Sequence, residues 1–110
     1  MKQYLIDELR PVDHEKIRTF MDKKYGSSQF DGLYWIPLEK EILTDDQSAH
    51  SECSPFFFAI ELKPGLMACE LLVRTKSRIK CTCMGYATRK QHNWLIDIID
   101  TLLNQLEIRV

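Results

Sequence analysis

The 110-residue chain reads as a single α+β domain: an antiparallel sheet of about four strands in a meander, with an N-terminal helix and a long C-terminal helix packed on the sheet. Three observations predict this. Phe56 to Lys63, Leu66 to Arg74 and Arg78 to Tyr86 are consecutive runs with two-residue alternation, separated by turn residues. Leu95, Ile98, Ile99, Leu102 and Leu106 recur at helical spacing opposite Asn93, Asp97, Asp100 and Asn104. Near the start, Ile17, Phe20 and Met21 form a second, narrower helical stripe.

The first helix is justified by Pro11, which suits a first helical position. Asp13 or a neighbour can cap, and if Asp13 is the N-cap, Val12 and Ile17 are spaced as a hydrophobic staple. Gly26-Ser27-Ser28 ends it. Gly32 to Ile36 is strand-like, and Pro37 stops that strand or confines it to an edge. Leu38 to Ser54 is a long acidic connector whose only regular feature is a helical turn or two after Thr44, with Gln47 completing a capping box. Connectors of this length are often binding loops.

The three strands can be set in register by the buried face. A two-residue turn at Pro64-Gly65 pairs Leu62 with Met67, Ile60 with Cys69, Phe58 with Leu71 and Phe56 with Val73, all apolar. A three-residue loop at Thr75-Lys76-Ser77 then sets Val73 opposite Ile79, Leu71 opposite Cys81 and Cys69 opposite Cys83. Thr88 and Gln91 form a capping box for the last helix. The other sheet face holds Phe57, Ala59, Ala68, Leu72 and Met84 among Glu61, Glu70, Lys80 and Thr82. That is too apolar for bare solvent, so the first helix, the connector or a second subunit is expected to cover it.

Composition narrows the function classes. With 45% hydrophobic and 28% charged residues, the chain is globular rather than disordered, and its length suits one core. The amino terminus lacks the apolar centre of a signal peptide, and no run reaches the ~18 apolar residues of a spanning helix. The expectation is a soluble, cytoplasmic protein away from membranes, with reduced thiols at Cys53, Cys69, Cys81 and Cys83. No phosphate-cradling glycine loop or nucleophile elbow is present, and the three histidines have no visible nucleophile beside them, so the reading leans away from an enzyme.

Three functional readings compete. The first is a non-enzymatic protein-interaction module, homodimeric, whose partner interface draws on Phe57, Leu72 and Met84 from the sheet and on Ile96 and Leu103, which flank the main stripe of the last helix. The second is a small zinc-binding protein using Cys81, Cys83, Cys69, Cys53 and His50. A C-x-C on a strand offers no knuckle turn, so buried thiols without any cofactor rank ahead of it. The third rests on charge: residues 71 to 96 contain no acid, while Arg74, Lys76, Arg78, Lys80, Arg89 and Lys90 supply six cations. An anion or nucleic acid could bind there, but cations at a hairpin tip also discourage edge aggregation, and the acidic remainder of the chain places nucleic acid last.

Overall fold

The computed structural model describes residues 2–26, 32–75 and 84–109. The elements run β1 (Gln3–Ile6), α1 (Pro11–Tyr25), β2 (Leu33–Pro37), α2 (Asp45–Ala49), β3 (Phe56–Lys63), β4 (Leu66–Glu70), β5 (Leu72–Thr75), β6 (Gly85–Tyr86) and α3 (Arg89–Gln105), with short 3-10 turns at Lys40–Ile42 and Ser51–Cys53. The α+β class and antiparallel sheet agree with the sequence reading. The strand count differs: among the described residues six segments form the sheet, although they occupy about four positions across it. β2 pairs with β3, β3 with β4 and then β5, while β1 borders β4 and β6 borders β5.

Local chemistry explains most boundaries. Pro11 occupies the first turn of α1 as expected, but the N-cap is Arg10 and not Asp13. The Asp13 carboxylate instead reaches back to the Arg10 backbone N–H (3.4 Å) and guanidinium (2.9 and 3.0 Å). The Arg10 guanidinium holds this carboxyl below the usual range. With the cap displaced, the expected staple does not form, and Val12 is 52% exposed. Both other capping boxes form as read: the Thr44 and Thr88 hydroxyls accept from the N–H groups of Gln47 and Gln91, whose side-chain oxygens accept in return.

Both long helices lie on one face of the sheet. Ile17 and Met21 of α1, and Leu95, Ile99, Leu102 and Leu103 of α3, share a core with Tyr34, Ile36, Phe56, Phe58, Ile60, Met67, Cys69 and Val73. Two tyrosines tie the layers: Tyr34 donates to Asp22 of α1, and Tyr4 donates to Asp100 of α3, both at 2.7 Å. The connector joins this helical side. Gln91, fully buried, donates to the Ile42 carbonyl (2.9 Å) and to Gln47 (2.8 Å), and Thr75 donates to the Cys53 carbonyl.

The hairpin register is right for half its length. Ile60 faces Cys69 and Leu62 faces Met67 as expected, but Phe56 faces Thr75 rather than Val73. Between these pairings, Phe58 and Ala59 oppose four residues, 70 to 73. The cause is at Leu71, whose N–H donates to the Lys2 carbonyl and whose own carbonyl accepts from Ala87. Its backbone serves the neighbouring edge, just before β1 begins and just after β6 ends. The resulting bulge inserts two residues, an even number, so Val73 still points into the core.

The second hairpin needs a larger correction. Val73 pairs with Gly85 and Leu72 with Tyr86, not Val73 with Ile79. Cys69 has Tyr4 on one side and Ile60 on the other, so the expected opposition of Cys69 to Cys83 does not occur. An alternating pattern tolerates any even slip, because each slip preserves the buried face. Thr75, expected to open the three-residue loop, is the last residue of β5 and pairs with Phe56; Lys76 and Ser77, and most of the expected strand from Arg78 with Cys81 and Cys83, lie outside the described residues.

Candidate interaction surface

Strand alternation delivers every second side chain to the face away from the helices. Leu33, Glu61, Ala68 and Leu5 align across four strands. Trp35 sits beside Ala59, and Pro37, Phe57 and Arg74 align next to them. None of Leu33, Trp35, Phe57, Ala59, Leu66, Ala68 and Leu72 is buried, and Leu5 is 45% exposed. Trp35 and Phe57 meet edge to face, centroids 5.9 Å apart at 78°, an arrangement that holds two large rings in place at the surface.

Four described charged groups of this face pair with each other. Arg74 donates to both carboxylate oxygens of Glu70, at 2.5 and 3.2 Å, astride Leu72. This pairing raises the Arg74 pKa further. Lys63 lies 3.4 Å from Glu61 towards the hairpin tip. The surface therefore presents apolar side chains and two closed ion pairs, with no net charge from these four groups.

The residues expected at a partner interface do not gather in one place. Phe57 and Leu72 lie on this open face, and Met84 is half-buried just before β6. Ile96 is half-buried on α3, in the other layer. Leu103 is 3% exposed, inside the chain's own core, and does not line a surface. Helical spacing alone placed it beside the main stripe, but the core wraps further around α3 than that stripe. Trp35, on the same face, was not among the expected residues. The signal was available: a strand that buries Tyr34 and Ile36 must turn Trp35 outward.

Of the metal candidates, Cys53, Cys69 and His50 are among the described residues. Cys53 and Cys69 are buried, and desolvation, with the Asp100 charge adding to it, pushes the Cys69 thiol up to about 12. His50 sits at the end of α2, its Nδ1 2.7 Å from the Asp46 carbonyl. Among the described residues no three His, Cys, Asp or Glu side chains form a metal-holding group; Cys81 and Cys83 are outside them.

The described cations of the basic stretch also point to different tasks. Arg74 is held by Glu70, and Lys90 donates to the Glu41 carbonyl at 2.9 Å. Arg89 lines a cleft of about 560 Å³ with Lys2, Tyr86 and His92, where the Lys2 ammonium stands 5.4 Å from the Tyr86 ring centre. Lys76, Arg78 and Lys80 lie outside the described residues. A second cleft, about 230 Å³, runs between the helices past Phe20, Tyr25, Trp94 and Ile98. No described helix is long and apolar enough to cross a membrane.

No protein-family model matches the chain, and no curated protein or solved structure matches it either.

Proposed function

We propose that the protein is a non-enzymatic interaction module that docks through the uncovered face of its sheet, and that it works as a homodimer. The observation that carries this reading is the Trp35–Phe57 ring pair on the sheet face opposite the described helices, where neither ring is fully buried. Large aromatic rings that stay at a surface contribute most when a partner removes them from water. The closed ion pairs beside them support the same reading, since a docking partner need not supply counter-charges for Glu61, Lys63, Glu70 or Arg74. In a cytoplasmic setting such a module would act by assembly alone, without a cofactor.

Hydroxyl-radical labelling tests the reading at the residue that carries it. Trp35 should be labelled in dilute purified protein and protected in concentrated protein, in an extract of the cells that make it, or in both. Phe57→Asp should abolish that protection. Equal labelling of Trp35 in all three samples would remove the open face as a docking surface.

A further inference from the structure

We infer that the cleft where β1 begins, β6 ends and α3 starts binds a small organic phosphate monoester, its phosphate held by Lys2, Arg89 and His92 and its organic part resting on Tyr86 and the Leu71 and Ala87 wall. The site needs no partner on the docking face, and three observations select it.

The first is how the cleft is built. Lys2, Tyr86, Arg89 and His92 come from distant parts of the chain and line one space of about 560 Å³, within the roughly 300–1,000 Å³ of small-molecule sites. Leu71 joins these parts: its N–H donates to the Lys2 carbonyl at 3.1 Å, and its carbonyl accepts from the Ala87 N–H at 2.7 Å. Gln91, in the same turn of α3 as Arg89 and His92, is fully buried and donates to the Ile42 carbonyl and Gln47. Backbone and buried side-chain bonds therefore hold both walls in place, as a preorganised site requires.

The second is charge without a counter-charge. Lys2 and Arg89 are exposed, and among the described residues neither forms an ion pair. The ammonium of Lys2 stands over the Tyr86 ring, a weaker hold at the surface than a charge-assisted hydrogen bond. The acids on the adjoining elements are engaged or turned away. Glu70, opposite Gln3, is held by Arg74; on α3, Asp100 accepts from Tyr4 and Asp97 lines the separate cleft beside Phe20. Residues 76–83 are outside the described residues, but they contain three cations and no acid, so they bring no carboxylate to the site.

The third is the mixture of surfaces. Two cations and an imidazole N–H in one recess match a single phosphate group of charge about −2. Beside them the Tyr86 ring, 51% exposed, offers a face to a planar organic group. A polymer needs a row of cations, and the next described ones are occupied: Arg74 by Glu70 and Lys90 by the Glu41 carbonyl.

An amide chemical-shift titration of the full chain with phenyl phosphate, using phenol and inorganic phosphate as comparisons, is the deciding measurement. Phenyl phosphate should shift the amides of Lys2, Ala87, Arg89 and His92 and saturate with a Kd of about 1 mM or tighter. Inorganic phosphate should bind several-fold more weakly, and phenol should not bind. Arg89→Ala and Lys2→Ala should each weaken the ester at least about fivefold, while Lys23→Ala, an exposed cation of α1, leaves it unchanged. Tyr86→Ala should erase the advantage of the ester over inorganic phosphate; if that variant fails to fold, the Arg89 and Lys2 variants decide. Absence of saturation, shifts centred elsewhere, or equal weakening by Lys23→Ala overturns the site. Inorganic phosphate binding as tightly as the ester overturns the organic part of the ligand. A single-stranded oligonucleotide that binds through Arg89 at least about a hundredfold more tightly than the ester overturns the small ligand in favour of a nucleic acid.

Discussion

Phe57 and Phe58 are adjacent in the chain and in one strand, yet they have opposite environments. Phe58 is fully buried, 6.3 Å from the Trp94 ring of α3. Phe57 is half-buried on the open face, touching Trp35. The same contrast divides the whole sheet. On the helical side, cross-strand neighbours such as Tyr34, Ile60, Cys69 and Tyr4 end in a closed core. On the other side, Leu33, Glu61, Ala68 and Leu5 end at the surface. Apolar content by itself does not distinguish a residue that holds the fold from one that is available to a partner. What distinguishes them among the described residues is whether a helix lies over them.

The contrast can be broken or sharpened by substitution. Phe58→Ala should have the largest effect, about 3–5 kcal/mol of stability in denaturant unfolding, because a buried ring leaves both lost transfer energy and a cavity. A cost as small as that of a surface change would mean that the helical layer does not close over Phe58. Next comes Gln91→Leu, which removes the donor to Ile42 and Gln47 and the acceptor for the Thr88 N–H. Buried polar partners left unsatisfied make this cost about 2–3 kcal/mol, and amide exchange should quicken in the connector. Unaltered exchange there would show that the connector is held by other contacts.

A smaller effect concerns alkaline pH. The Cys69 thiol is raised from 9.0 to about 12 in the fold, so it remains protonated while the unfolded chain ionises. Its contribution is complete below pH 9 and declines from there as the pH rises towards 12. At pH 10 the loss is about 1 kcal/mol, and Cys69→Ala should remove that part of the pH dependence in thermal melts. A variant with the same alkaline slope as the parent would place Cys69 in contact with water. Smallest is Phe57→Ala in dilute protein, where losing one edge contact costs about 1 kcal/mol or less. A loss matching Phe58→Ala would erase the difference between the two faces.

Much of this architecture was legible residue by residue. Thr44 with Gln47 and Thr88 with Gln91 carry their helix starts in four-residue patterns, and both formed. The strand Phe56–Lys63 was bounded correctly because Pro55 and Pro64-Gly65 flank a clean alternation. β1 was missed, since Gln3–Ile6 is too short and too irregular to show a period, and only the free edge of β4 makes it a strand. The registers beyond Leu71 were missed for a related reason: alternation specifies a face, and slips of two or six positions leave the face unchanged. The candidate site was half legible. Phe57 and Leu72 followed from alternation, whereas Leu103 required knowing how far the core extends around α3.

The chain's own pattern determined which residues are helical or extended and which side of each strand is apolar, because those follow from periods of 3.6 and 2 and from short-range capping chemistry. Only the tertiary structure decided that α1, α3 and the connector all crowd one face, and that the backbone of Leu71 bonds to Lys2 and Ala87 instead of continuing beside β3. Those outcomes depend on competition between distant segments for the same surface and the same hydrogen bonds, which no local run of residues encodes.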